Sequence, residues 1–282
     1  MKINKKVLGN LTKCYSIAPL MYNGKQHILV AAEKHDPCYL FDEEGNKVDT
    51  VWEEPGGVMS MVQVPGSNGV FLATHKFYSP NDSKEAEIVI VSPSEKEGWK
   101  IRTLVKLPHV HRFDIVTRNG INYLIACALK SGHTYKDDWS MPGKTYAAVL
   151  PEDLSGFDKE HQLELTVIKD NMLKNHGYYK MQENEMEICL ISCDEGVYKF
   201  IPPAGIGENW EIERLTQTPG SDAVLVDLDR DGEPELIMIS PFHGQNIYIL
   251  KKIDGEYKKV YTYDTAEFAH AIYGGTLLGE PA

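Results

Sequence analysis

The feature that most constrains this chain is a repeat carried by its turns. Residues 221–264 read SDAVLVDLDRDGEPELIMISPFHGQNIYILKKIDGEYKKVYTYD. The stretch predicts four short strands, Ala223–Asp227, Glu235–Ser240, Asn246–Lys251 and Tyr257–Tyr263, each bounded by Gly, Asp or Pro. The plan recurs four times upstream. Its units are YSIAPLMYNG with QHILVAAEK, CYLFDEEG and KVDTVWEE; VMSMVQVPG with GVFLATHK, AEIVIVSP and WKIRTLVKL; HRFDIVTRNG with NYLIACALK, TYAAVLP and LELTVIKD; and HGYYKMQEN with EMEICLISCDEG, VYKFIPP and WEIERLTQ. First strands begin near Tyr15, Val58, His111, His176, Asp222 and Phe268, at intervals of 43, 53, 65, 46 and 46 residues. Four strands at a period of about 40 to 50 residues mark a β-propeller. A β-sandwich is the alternative, but it gives no reason for a recurring long–long–short–short strand order.

The reading is therefore all-β: one domain over residues 1–282, a β-propeller of four-stranded antiparallel blades, with five complete units and a partial sixth. No stretch sustains helical periodicity, and only Pro151–Glu160 has the composition for a helical turn. The sixth unit, AEFAHAIYGGTLLGEPA, supplies one inner strand and stops. Either a six-bladed ring is cut short or a five-bladed ring carries this tail as an extra strand. The segment KKVLGNL is a candidate outer strand for the last blade, because an uncovered sheet edge invites aggregation.

In the last complete unit, Ala223-Val-Leu-Val-Asp-Leu-Asp-Arg-Asp-Gly-Glu-Pro-Glu-Leu-Ile runs an apolar strand into a DxDxDG turn and a second apolar strand. This resembles the FG-GAP/VCBS type of propeller repeat. The turns MYNG, VPGSNG, TRNG and QEN of the other units lack the aspartates, so the resemblance covers one blade. A looser similarity, on histidines at strand starts, is to the propeller part of aldos-2-ulose dehydratases, which implies a sugar lyase with a His-bound divalent metal. Asp227, Asp229, Asp231 and Glu235, with Gly232 at the sharp turn, match the opening of an oxygen-ligand calcium loop. The twelfth-position Glu and flanking helices of an EF-hand are missing, so a metal-free Asx-type turn is the competing reading. Its role is structural either way.

The histidines are distributed unevenly along the repeat. An inner strand starts at one end of its blade, called the top; the second strand returns there, and the loop to the third lies there too. His109, His111, His176 and His270 fall at inner-strand starts, and His35, His75, His133 and His243 at second-strand ends or just beyond, which leaves His27 and His161 elsewhere. Imidazole suits Zn, Mn or a similar divalent transition metal. His111, His176 and His270 are the candidate ligands, with His75 or His243 as a fourth. Hydrogen-bonded histidines without metal are the plain alternative. Lys34, Lys76 and Lys130 end three second strands and, with Arg112, suit an anionic or oxygen-rich ligand; lysines that merely end strands and keep edges soluble are the bland reading. Tyr15, Trp139, Tyr178, Tyr179 and Tyr273 cluster near the same end, where Trp139 and Tyr273 could stack on sugar rings. The insertion SGHTYKDDWSMPGKTY is the candidate lid or substrate loop. His133, His75 or Tyr178 would be the proton acceptor.

Charge narrows the partners. With 29 Lys+Arg against 41 Asp+Glu the chain carries −12, so a nucleic-acid groove is not expected. No window approaches the roughly 18 apolar residues of a membrane helix. The basic start MKINKKVLGNLTKCYS lacks an apolar core, and five cysteines show no CxxC pair, so a cytoplasmic protein is expected. Phosphate loops, GxSxG and HExxH are missing from the sequence. The leading expectation is a metal-dependent lyase or dehydratase on a sugar or oxidised sugar, taking a small-molecule or oligosaccharide ligand. The alternative is a propeller that binds a glycan or a protein without turnover. Circular dichroism of the purified chain should show less than about a tenth helix, against roughly a third in ordinary globular proteins; a larger share would overturn the all-β reading.

Overall fold

The computed structural model describes residues 5–264 and 268–282. The first four residues of the basic start, and residues 265–267 where the sixth repeat begins, lie outside the described residues. No helix forms among the described residues. Pro151–Glu160 holds turns and bends instead of a helical turn.

Five four-stranded antiparallel sheets account for the five complete repeats. The first contains β1 (Cys14–Tyr22), β2 (Lys25–Ala32), β3 (Cys38–Asp42) and β4 (Lys47–Trp52). The second contains β5 (Met61–Gln63), β6 (Phe71–His75), β7 (Glu87–Ser94) and β8 (Gly98–Lys106). The third contains β9 (Val110–Arg118), β10 (Ile121–Lys130), β11 (Pro142–Val149) and β12 (Thr166–Met172). The fourth contains β13 (Gly177–Glu183), β14 (Met186–Cys193), β15 (Gly196–Ile201) and β16 (Glu211–Thr216). The fifth contains β17 (Asp222–Val226), β18 (Glu235–Ile239), β19 (Asn246–Ile253) and β20 (Glu256–Asp264). Within each sheet the strands pair in chain order, as meandering blades do.

Strand composition explains the layering. In the fifth blade β17 and β18 are buried at every position, while β20 is exposed at nearly every one. Continuous apolar runs such as ELIMI fit a strand covered on both sides. The expected long–long–short–short order holds in the first, third and fourth blades, whose strands have 9, 8, 5 and 6, then 9, 10, 8 and 7, then 7, 8, 6 and 6 residues, and is reversed in the other two. In the second blade the strands have 3, 5, 8 and 9 residues, and in the fifth 5, 5, 8 and 9. The inner strands are cut short by Val64-Pro65-Gly66 and by the Asp227 turn, whereas outer strands with polar faces can run on into water.

The chain divides into two compact units, Met1–Ile115 with Pro151–Glu164, and Val116–Leu150 with Leu165–Ala282. In the first, Leu20, Leu29, Leu40 and Trp52 share one apolar cluster with Met61, Phe71, Val89 and Trp99. Burying each large side chain is worth about 1.5–3 kcal/mol. The excursion 151–164 lies along β8. Arg102 donates to the carbonyls of Leu154, Ser155 and Phe157, and the Leu163 amide to Leu104. Together with the 131–141 insertion it accounts for the long third repeat. The segment 5–11 is not an outer strand: Lys6 donates to the Glu44 carbonyl and Leu8 lies over Gly45, so it covers the β3–β4 turn.

In the second unit, Cys127, Cys189 and Cys193 are buried in one cluster with Ile125, Ile191 and Phe200. A further cluster joins Leu190 and Val197 to Ala223, Leu236 and Leu250. All five cysteines are free thiols, with Cys14 alone exposed. The tail forms no sixth blade among the described residues. Ile272 packs with Val224, Val226 and Ile237, and a Cβ on Gly274 would meet Val226 at 2.4 Å. The tail ends in a hairpin of β21 (Thr276–Leu277) and β22 (Glu280–Pro281).

His75 belongs to the core of the first unit. It ends β6 opposite Glu87, is 2% exposed, and its ring meets Trp52 edge-on at 4.8 Å. Its Nε2 has no hydrogen-bond partner. Burial pushes its pKa down from 6.5 to about 4, Glu87 opposing and Lys76 adding to the shift. The folded state therefore holds His75 neutral where the unfolded chain is already protonated. Stability should fall as pH drops from 6.5 towards 4, by roughly 3 kcal/mol for this group. Urea unfolding of His75→Phe should lack that part of the slope; an unchanged slope would refute the assignment.

Candidate functional site

Three of the five histidines named as candidate ligands come together in the second unit. His176 precedes β13, His243 lies in the β18–β19 loop, and His270 in the tail. One donor atom from each lies within 4.8 Å of the others. The meeting depends on a close approach of strand starts. A Cβ on Gly177 would lie 2.6 Å from the Ser221 carbonyl oxygen and 2.7 Å from the Asp222 Cα, so only glycine lets β13 open beside β17.

That approach also orients His176. The ring is 1% exposed, its amide donates to the Ser192 carbonyl at 3.2 Å, and Nδ1 stands 2.9 Å from the Ser221 carbonyl oxygen. A carbonyl only accepts, so Nδ1 carries the proton, and in the neutral ring Nε2 keeps its lone pair. His243 Nε2 lies 3.1 Å from that Nε2. Two nitrogens bound at about 2.0–2.1 Å to one tetrahedral ion stand about 3.3–3.4 Å apart, so this pair is already close to ligand spacing.

His243 is held by a tight loop. Its φ is +58°, and a Cβ on Gly244 would lie 1.9 Å from Ser240 Oγ. The Ala269 amide donates to the Gly244 carbonyl at 3.1 Å, which ties the tail to the loop. The His270 ring then stacks on His243 at 4.3 Å and sits 5.3 Å from His176.

An aromatic wall adjoins the rings. Phe242 meets His176 edge-on at 5.3 Å, Phe268 lies 4.5 Å from His243, and Trp139 packs on Phe242 at 5.4 Å. Lys130 Nζ sits 4.6 Å over the Trp139 ring; Lys174 Nζ lies 5.9 Å from it and 5.7 Å from Phe242. Trp139 is presented by a loop wound around Asp138. This carboxylate is buried and accepts from the amides and hydroxyls of Thr134 and Ser140. The Ser140 hydroxyl and these amides hold Asp138 far below the usual carboxylate range. The insertion is thus pinned rather than loose. Burial pushes Lys130 down, with Asp138 and Asp137 opposing, and its ammonium donates to the Asp138 carbonyl at 3.2 Å.

The other candidates have different surroundings. His111 lies in the first unit, where Nε2 is 3.4 Å from the Tyr15 hydroxyl and the ring meets Phe77 at 5.1 Å. Arg112 donates to the Met59 carbonyl and the Tyr15 hydroxyl. Lys76 pairs with Glu87, and Lys34 donates to the Tyr78 carbonyl. His133 is half-buried in the Asp138 loop, Tyr178 turns a buried hydroxyl inward, and Tyr273 is 66% exposed. Sequence reasoning missed Phe242, Lys174 and Ser221. Phe242 adjoins the Pro241 and Gly244 punctuation of a loop already read from the sequence. Ser221 acts through its backbone carbonyl, which leaves no residue-type signal.

A cavity of about 590 Å³ lies elsewhere in this unit, lined by Glu183, Lys199, Glu213, Lys252, Glu256 and Tyr257 among others. Its charges are partly self-paired, as in Lys199–Glu183 at 2.5 Å. Burial, then Glu233 and Glu213, push the Tyr257 phenol up to about 12.

No protein-family model matches this sequence, and no curated protein matches it. Solved structures do. The β-propeller domain of Myceliophteria thermophila Cps50 (Swd1) aligns with a TM-score of 0.55 at 12% identity, over 92% of this chain and 75% of that one. A luciferin-regenerating enzyme aligns with a TM-score of 0.51 at 14% identity, over 90% of this chain and 78% of that one. At such identities the likeness is one of fold, and the chain is an all-β propeller of four-stranded blades.

Proposed function

We propose that His176, His243 and His270 hold one divalent transition metal, zinc or manganese in class, and that the chain is a metal-dependent lyase or dehydratase acting on a sugar or oxidised sugar. The observation that carries this reading is the hydrogen bond from His176 Nδ1 to the Ser221 carbonyl beside the Nε2 pair at 3.1 Å. Metal-bound imidazoles characteristically donate their second nitrogen to a carbonyl or carboxylate, which fixes the tautomer. The donor set fits: three neutral imidazoles with no thiolate leave room for water or substrate, as catalytic sites do. When bound, such an ion polarises a substrate carbonyl or hydroxyl oxygen.

The chain's own residues would do the rest. Trp139 and Phe242 offer faces for a sugar ring, and Lys174, half-buried and paired with Asp194 at 3.1 Å, supplies positive charge beside them. Dehydration breaks the carbon–hydrogen bond next to a carbonyl; its electron pair forms the new double bond, and hydroxide leaves the neighbouring carbon to become water with that proton. His133, in the loop that carries Trp139, is the proposed proton acceptor. His75 suits packing rather than this role, being shut in the core of the first unit. His111 and Arg112 are likewise occupied with Tyr15, and Lys130 is buried under Trp139.

Elemental analysis after dialysis against zinc or manganese should find about one ion per chain, and His176→Ala, His243→Ala and His270→Ala should each weaken binding by at least about tenfold. Oxidised sugars should lose water only with the loaded wild-type protein. Metal content equal in wild type and the three variants would overturn the metal site. A filled site that turns over no sugar in the panel would favour the binding-only propeller.

A further inference from the structure

The DxDxDG turn of the last blade reads as a calcium loop, yet each of its carboxylate oxygens already has a partner within the chain. Eight carboxylate oxygens belong to Asp227, Asp229, Asp231 and Glu235. Asp227 accepts from the Asp231 and Gly232 amides, each at 3.1 Å, and Asp229 Oδ1 from the Asp231 amide at 3.3 Å. Asp231 Oδ1 accepts from the Glu233 amide at 2.9 Å, and Glu235 Oε2 from the Leu228 amide at 2.8 Å. The three remaining oxygens face one ammonium. Lys251 Nζ lies 2.5 Å from Asp229 Oδ2, 2.8 Å from Asp231 Oδ2 and 3.2 Å from Glu235 Oε1. The last is an ion-pair contact rather than a directed hydrogen bond.

The match follows from sheet register. Leu236 pairs with Leu250, so Lys251, the next residue on β19, lies opposite Glu235 and reaches back over the turn. An ammonium offers three donors, one for each oxygen left over. A calcium ion needs six to eight oxygens at about 2.3–2.6 Å; Asp227, Asp229 and Glu235 each bring one within 4.8 Å of the others, but the Lys251 ammonium already lies against Asp229, Asp231 and Glu235. The three carboxylates hold Lys251 well above the ordinary lysine range, and Lys251, first, then the Glu233 amide hold Asp231 below the usual carboxylate range. Calcium would have to displace the Lys251 ammonium from the carboxylates that it bridges.

We propose that the Lys251 ammonium occupies the cation position of this turn, so that the last blade folds without calcium and Lys251 is the residue that keeps the ion out. The blade keeps the loop geometry, with Arg230 at φ +61° and Gly232 at φ +93°, but takes its positive charge from its own third strand. The proposal concerns the β17–β18 turn and is independent of the histidine site.

Thermal melts and calcium titration calorimetry on the full chain test it. Wild type stripped of transition metal beforehand should melt at the same temperature in chelator and in millimolar calcium, and should show no calcium heat. Lys251→Met removes the charge but keeps most of the side-chain length. Its melting temperature should fall in chelator and recover by several degrees in calcium, with binding in the range of about 0.1–1 mM seen for weak calcium modules. Lys251→Arg should stay insensitive to calcium. Calcium binding or calcium-dependent melting of the wild type would overturn the proposal even if Lys251→Met does not fold. So would a Lys251→Met protein that melts like wild type and ignores calcium.

Discussion

Leu20, Leu29 and Leu40 of the first blade and Phe71, Val89 and Trp99 of the second belong to one buried cluster, and neither sheet could cover those side chains alone. A four-stranded sheet with two apolar faces is stable only when another layer lies against it, which is why repeat architectures stack. The same dependence appears in the second unit, where Cys189 and Phe200 of one blade share a cluster with Val116 and Ile125 of another. Strand interiors are consumed by this packing. Polar chemistry is left to strand starts, strand ends and the loops between them, and the three clustered histidines occur there.

How much of this was legible depends on the kind of signal. The five blades could be read because each strand is a short apolar run closed by Gly, Pro or Asp, and both signals are local. Their strand-length order could be read in three blades but not in the second and fifth, where the outer strands run on into solvent. The N-terminal segment was misread for a related reason. KKVLGNL carries Val7, Leu8 and Leu11, but Leu8 finds its cover over Gly45 in a turn, without strand pairing. At the candidate site, the position rule for histidines selected His176, His243 and His270 in advance. It also selected His75 and His111, because strand-end position alone does not say whether a ring turns towards a loop or into the core. The carbonyl of Ser221 and the lysine facing the aspartates are products of tertiary approach and cross-strand register.

Lysine placement shows how an acidic chain uses its few cations. Lys76 is committed to Glu87, Lys199 to Glu183, Lys174 to Asp194 and Lys251 to three carboxylates. Lys130 is the departure. It is fully buried, and its ammonium is held by the Asp138 carbonyl and the face of Trp139. Removing a charge from water is costly unless polar and aromatic partners replace hydration. Both partners come from the 131–141 loop, so the lysine at the end of β10 and the turn around Asp138 fix Trp139 together. A repeated lysine at blade ends therefore has no repeated role; each is defined by the carboxylate, carbonyl or ring that its own loop supplies.

Backbone strain follows the same geography. Many non-glycine residues with positive φ, such as Asn23, Asn119 and Asp254, sit in hairpin turns beside a glycine, where left-handed conformations are routine. Lys174, His243 and Phe268 are different, as are Lys76 and His109 of the first unit. The first three have φ values of +52°, +58° and +61°, none belongs to a hairpin turn, and all three adjoin the histidine cluster. For such residues the left-handed region costs about 1–3 kcal/mol each and persists only where surrounding contacts over-determine it. Those contacts are visible: Lys174 is held by Asp194 and the Trp139 and Phe242 rings, His243 by His176 and the Ser240 loop, and Phe268 by the bond from the next residue to Gly244. A cluster of histidines that merely filled space could relax by moving any one of these loops. Here three separate segments, each held in an unfavourable conformation, bring His176, His243 and His270 to one point.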